Sequence, residues 1–134
     1  MPNKLNLLLA TVALWFGSGC FPYRLTTSPG ASGVVVDAQT GTPISGAWVS
    51  VRPLPLSGTD IRSGTNSGPG GAFRIATTRQ WAFYLFPADM FSAPFALSVT
   101  NQGYQSALVP FRYKLAFKPV ATNFGEVRLE RSLK

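Results

Sequence analysis

Acid–base chemistry in this chain would have to come from five carboxylates, Asp37, Asp60, Asp89, Glu126 and Glu130, because histidine is absent. The missing imidazole removes the commonest general base, the commonest zinc ligand and the side chain that titrates near neutral pH. A carboxylate pair could still cleave a glycosidic bond, one as acid and the other as base or nucleophile. The positions do not favour it. Asp37 and Asp60 lie in or near turns, where aspartate commonly bonds nearby backbone. Glu126 and Glu130 fall on one face of a strand pattern at 125–130, read as the solvent face. Lys114 and Lys118, the lysines that could activate a serine, sit in no recognisable motif. Gly68-Pro69-Gly70-Gly71 has no Lys-Ser/Thr after it and runs into a strand pattern, so it reads as a turn, not a phosphate loop. The single cysteine, Cys20, allows neither an internal disulfide nor a thiolate metal cluster. The expectation is a non-enzymatic chain with no catalytic residues, no metal and no cofactor.

Binding chemistry is better supplied. The chain has 3 Trp, 4 Tyr and 10 Phe among 134 residues. Trp48 belongs to an alternating run, where it shares a face with Ser50 and Arg52, opposite Ala47, Val49 and Val51. Val34 and Val36 of the preceding run are candidates for the same surface. Trp81, Tyr84, Phe86 and Phe91 crowd one segment with more aromatic surface than a single strand face can bury. These five residues, Trp48, Trp81, Tyr84, Phe86 and Phe91, are the candidate partner-binding positions. Packing in the core is the alternative for the 81–91 segment, and cover by a neighbouring loop is the alternative for Trp48.

The elements that would position them are short and β-prone. Runs at 33–37, 47–52, 73–77, 81–86, 95–100, 104–111 and 125–130 are separated by Gly, Pro, Asn and Asp. Outside the N-terminal segment, nothing keeps a 3.6-residue apolar period for ten residues. Hydrophobic content of 46% supports a packed core, and one domain's worth of chain is present. Charged residues are only 13%, with 12 Lys+Arg against 5 Asp+Glu for a net charge of +7. That balance favours anionic neighbours such as phospholipid headgroups or acidic glycans. The basic residues are scattered without a run, so no nucleic-acid partner is expected.

The N-terminus reads as an address. Lys4 precedes an apolar stretch at 5–16. This is shorter than the roughly 20 residues that span a bilayer and has the length of a signal-peptide core, read as an N-terminal signal helix. Gly17-Ser18-Gly19-Cys20 follows. This arrangement resembles the bacterial lipoprotein signal, in which a small residue precedes a cysteine that takes a diacylglyceryl group and becomes the acylated N-terminus. The resemblance implies cleavage after residue 19, a lipidated Cys20 and a membrane partner through that lipid. Gly17 departs from the pattern, which commonly has an aliphatic residue there. Cleavage near Gly19 as an ordinary secretory signal, and a retained anchor, are the alternatives. Phe21 stands where an aspartate would commonly hold such a lipoprotein at the inner membrane. Its presence implies an exported protein at the outer membrane or its periplasmic face. Residues 20–32, with two prolines and Gly30, read as a tether.

The ordered blocks 33–37, Thr40-Gly41-Thr42-Pro43-Ile44-Ser45-Gly46-Ala47, 49–51, Thr65-Asn66, Gly70-Gly71-Ala72-Phe73, 97–99, Gly103-Tyr104 and 127–129 resemble the carboxypeptidase regulatory-like domain, a transthyretin-like fold. The match covers about residues 33–130. It implies an all-β, seven-stranded antiparallel Greek-key β-sandwich over 33–134, acting as an accessory module. Transthyretin-like hydroxyisourate hydrolases use histidines, which this chain lacks, so the resemblance carries the fold and not that activity. The family commonly connects the third strand to the Leu-x-Val strand directly, whereas here residues 79–94 intervene. The function expected is a non-catalytic, lipid-anchored envelope interaction or structural module, with another envelope protein or a glycan as its partner; the alternative is a carbohydrate-binding module for glycan or peptidoglycan.

Overall fold

The computed structural model describes residues 21–55, 63–84, 92–114 and 120–132. All regular structure in them is strand: β1 Phe21–Ser28, β2 Ala31–Asp37, β3 Trp48–Pro53, β4 Ser63–Asn66, β5 Ala72–Ile75, β6 Thr78–Tyr84, β7 Ser92–Thr100, β8 Ala107–Lys114 and β9 Thr122–Leu129. The segment read as a signal helix lies outside the described residues.

Two sheets form a sandwich, one of three strands in the order β5-β2-β9 and one of four in the order β4-β3-β7-β8. Alternation explains the core between them. Val49 and Val51 of β3 and Leu97 and Val99 of β7 point inward from the larger sheet and are fully buried. Ala31 and Val35 of β2, Phe73 and Ile75 of β5, and Val127 and Leu129 of β9 meet them from the smaller sheet. Burying each such aliphatic side chain is worth about 1.5–3 kcal/mol. Phe111 bridges to the aromatic end of the core, lying 6.0 Å from Phe95 and 5.1 Å from Phe124 between ring centroids.

The sandwich departs from the sequence reading in four ways. The two sheets contain a strand, β4, that falls between the β-prone runs at 47–52 and 73–77. Ser63-Gly64-Thr65-Asn66 has no apolar alternation, and it becomes a strand because β3 offers it a free edge, Val49 opposite Thr65. The second departure is the direction of one pair: β2 and β9 run parallel, Val35 opposite Val127, so the sandwich is not wholly antiparallel. Parallel neighbours need a long crossover, and nearly the whole domain lies between these two strands. The third concerns β8, which continues through Pro110 to Lys114. β8 is an edge strand, where a proline is tolerated because its missing N–H can face away from the ladder.

The fourth departure is the N-terminal segment. Residues 21–28, read as part of a tether, form β1, which pairs antiparallel with β6 as a two-stranded ribbon. Of the aromatic run expected at 81–86, the described part, Trp81 to Tyr84, is thereby drawn into this ribbon and not into either sheet of the sandwich. The ribbon continues the β2–β5 ladder: Ala31 faces Ile75 on one side of the break, and Ser28 faces Thr78 on the other. Gly30 makes the junction possible. A Cβ there would stand 2.7 Å from Thr77 Oγ1 and 3.1 Å from the Ile75 carbonyl oxygen. Its own carbonyl accepts the Thr122 N–H at 2.9 Å, which ties the junction to β9.

Candidate functional site

Three surfaces carry the side chains that could act. The first is the outer face of the larger sheet. Trp48 opens β3 opposite Thr100 and Asn66, and Ser50 lies beside Ser98 and Gly64. The indole leans across to Gly64: a Cβ on that glycine would be 2.5 Å from Trp48 Cζ2. The ring therefore occupies space that only glycine leaves free, and it remains 40% exposed. Alternation predicts this outward placement correctly. Its expected companions differ. Ser50 is buried and Arg52 half-buried. Val34 and Val36 belong to the other sheet, because β2 pairs with β5 and β9 and not with β3. Leu108, across Ser98, is the second exposed large apolar residue on this face.

The second surface is the ribbon. Trp81 of β6 faces Arg24 of β1 across the ladder and is 66% exposed. The Arg24 guanidinium lies over the indole, 5.2 Å from the ring centroid. Such a stack lets a cation and an aromatic plane share solvent-facing surface. Arg79, two pairs further along, donates from Nη2 to the Arg24 carbonyl at 3.3 Å. At the sandwich end, the hydroxyls of Ser28 and Ser63 share a hydrogen bond at 3.0 Å. Ser63 begins β4, whereas Trp48 pairs with Asn66 at the end of β4, so the ribbon and Trp48 attach at opposite ends of that strand.

The third is a clamp around Asp37. This carboxylate ends β2 and is 1% exposed. Its Oδ1 accepts the backbone N–H groups of Gln39 at 2.8 Å and Thr40 at 3.1 Å. Its Oδ2 accepts Arg131 Nε at 2.8 Å and the Tyr104 hydroxyl at 3.1 Å. The Arg131 guanidinium, with the two N–H groups and the phenol, holds the carboxyl well below the usual carboxylate range, although burial opposes them. The same pair raises Arg131 above its ordinary value. Asp37 is a structural anion. It fixes the Thr40-Gly41-Thr42-Pro43 turn, in which Gly41 takes a φ of 69°, and ties the C-terminal segment to β2. The sequence showed the turn-bonding aspartate but not its distant partners, Tyr104 and Arg131.

An open depression of about 540 Å³ also runs along β2, β5 and β9, lined by Ser32, Val34, Arg74, Asn123 and Glu126 among others. Glu126 is already paired with Arg128 at 3.3 Å, and both are exposed. Among the described residues, no group of three or more Asp, Glu or Cys side chains is placed to hold a metal ion.

Of the residues singled out from sequence, Trp48 and Trp81 are described as exposed, in different sheets. Tyr84 is placed by register only, opposite Phe21 at the far end of the ribbon. Cys20, Phe86 and Phe91 lie outside the described residues, as do Asp60 and Asp89. Sequence reasoning misses Arg24, because the prolines around residues 21–28 read as a tether and offer no strand partner for Trp81.

No protein-family model matches the chain. No curated protein matches it either. Among solved structures it is similar to a streptococcal ancillary pilin, at 17% identity and a TM-score of 0.44, over 81% of this chain and 31% of that one. The chain thus spans about a third of that pilin's length. It is similar to the C-terminal domain of the shaft pilin spaA from Lactobacillus rhamnosus GG, at 14% identity and a TM-score of 0.46, over 79% of this chain and 99% of that one. It is also similar to a 3-chlorocatechol 1,2-dioxygenase from Rhodococcus opacus 1CP, at 14% identity and a TM-score of 0.45, over 80% of this chain and 62% of that one. These likenesses establish neither a shared fold nor a shared role.

Proposed function

We propose that this chain is a non-catalytic, lipid-anchored module of the cell envelope, acylated at Cys20 and delivered to the outer membrane or its periplasmic face. The observation that carries this reading is the ladder from Phe21 to Ser28 against β6. The residue after Cys20 is already paired, so an acyl group there would connect to the sandwich through a hydrogen-bonded ribbon of roughly 24 Å and not through a loose linker. The resemblance to the carboxypeptidase regulatory-like domain, with its Greek-key order, belongs to the same proposal. It gains support from the block 33–43, which forms β2 and its following turn. Two of the three described carboxylates fit an inert scaffold: Asp37 is held by four donors and Glu126 by Arg128.

The test is membrane partition of the full chain expressed in a diderm bacterium, alongside Cys20→Ser. The wild type should fractionate with membranes and label with an alkyne palmitate analogue. Cys20→Ser should lose the label. A soluble, unlabelled wild type would remove the anchor.

A second reading, glycan binding, draws on Trp48. An indole laid over Gly64, beside Ser98 and Thr100, offers a stacking plane flanked by hydroxyls. Retention on peptidoglycan or a glycan array that disappears in Trp48→Ala would favour it. No retention on any polysaccharide would count against it.

A further inference from the structure

We infer that the Arg24–Trp81 pair is a membrane-surface contact that seats the β1–β6 ribbon against anionic phospholipid headgroups. The inference deepens the proposed lipid-anchored reading and rests on it. Three observations carry it. Trp81 is a large apolar side chain left 66% exposed on a ribbon that belongs to neither sheet of the sandwich. Its solvent-facing ring is capped by a guanidinium at 5.2 Å, so the pair presents an aromatic plane and a cation together. Trp and Arg are the side chains that settle at the membrane–water boundary, the ring among the upper acyl carbons and the cation among the phosphates.

Charge supplies the second argument. The ribbon's strands, 21–28 and 78–84, contain Arg24 and Arg79 and no Asp or Glu. Basic residues near an anionic leaflet are attracted to it, and the attraction is screened by salt. Arg79 is held toward Arg24 by its hydrogen bond to the Arg24 carbonyl, which keeps both cations on the same part of the ribbon.

Position supplies the third. Arg24 lies four residues after Cys20 in the chain, so the reach of the backbone keeps the pair within about 14 Å of the anchored residue. An upright ribbon would hold Trp81 clear of the lipid, whereas a ribbon lying along the surface brings it into the headgroup layer. The exposed aromatic–cation pair favours the second posture. A diacylglyceryl group already anchors stably, so this contact would set the posture of the ribbon and not the retention of the chain.

The experiment uses the full chain with Trp15→Phe and Trp48→Phe, leaving Trp81 as the sole tryptophan. It is recovered from membranes and reconstituted into phosphatidylcholine vesicles with or without phosphatidylglycerol, carrying bromine at shallow or deep acyl positions. Trp81 emission should shift to shorter wavelength and be quenched by about half, more by shallow bromines than deep ones and more with phosphatidylglycerol present. Protein that co-floats with vesicles while Trp81 stays unquenched overturns the contact and leaves the anchor standing. Quenching with an unmodified Cys20 in the mass spectrum keeps the contact and removes the anchor. No co-flotation with either vesicle overturns both. A second chain, Arg24→Ser with Arg79→Ser and all tryptophans intact, guards against misfolding of the first. Its extra tryptophan quenching with phosphatidylglycerol should fall to the level seen with phosphatidylcholine alone and lose its salt dependence. Unchanged quenching would contradict the role of the two cations.

Discussion

Trp48 rests where the side chain of residue 64 would be, and Gly64 is what makes that position available. The pairing is diagonal across the β3–β4 ladder, since Trp48 faces Asn66 and Ser50 faces Gly64. Gly64→Ala should therefore expel the indole or push β4 away. The expected cost is about 1–3 kcal/mol, the range for overpacking a filled site. Urea unfolding followed by circular dichroism measures it. The variant's Trp48 should also be more accessible to iodide quenching. Unchanged stability with unchanged quenching would mean the ring does not lean on Gly64.

Asp37 makes stability depend on pH. Its carboxyl is held low in the folded protein and returns to about 3.9 when the chain unfolds. The folded state therefore binds its proton less readily than the unfolded state does. The stabilisation is fully present above the unfolded value and is lost as pH falls below about 4. Asp37→Asn should lower the thermal midpoint by several degrees at pH 7 and flatten the acid limb between pH 4 and pH 2. A variant that keeps the wild-type acid limb would assign that limb to another group. Arg131→Ala should reproduce part of the effect, because Arg131 is the largest cause of the shift.

Thr26 gives a prediction of the opposite sign. Its hydroxyl oxygen is buried in β1 and has no hydrogen-bond partner among the described residues. Leaving a buried hydroxyl unpaired costs about 1–3 kcal/mol. Thr26→Val keeps the shape and removes the hydroxyl, so it should raise the unfolding free energy by about 1 kcal/mol. Chemical denaturation is sufficient to read it. A destabilised Thr26→Val would reveal that the hydroxyl has a partner.

The core sets the scale for all of these. Leu97 lies in the middle of β7 and is fully buried between the two sheets. Leu97→Ala should cost about 2–5 kcal/mol, through lost transfer energy and the cavity left behind. Leu108→Ala, on the exposed face of the neighbouring strand, should change stability by less than about 0.5 kcal/mol. Equal losses for the two would contradict the assignment of inner and outer faces.

The sequence made inner and outer faces visible wherever apolar and polar residues alternate. Val49 and Val51 against Trp48 is the clearest case, and β2, β5, β7 and β9 were also located, to within a few residues. The turn at Asp37 was equally legible, because Asp, Gly and Pro each have local backbone reasons to be there. What periodicity does not encode is the identity of a strand's neighbour. The parallel placement of β2 beside β9, and the separation of Val34 and Val36 from Trp48, depend on contacts between distant parts of the chain. β4 was hidden because Ser63-Gly64-Thr65-Asn66 carries turn-type residues. β1 was hidden behind Pro22 and Pro29, which stand near its start and just past its end. With β1 unseen, Arg24 had no route to Trp81, and the cation–aromatic pair emerged only from the ladder.

The proposed function requires a Cys20 that is acylated and joined directly to a paired strand. Mass spectrometry of the mature N-terminal peptide tests it most directly. The expected result is a chain beginning at Cys20 with a diacylglyceryl group on sulfur, with or without a further acyl chain on the amine. An N-terminus at an unmodified Cys20, or at any later residue, would contradict it.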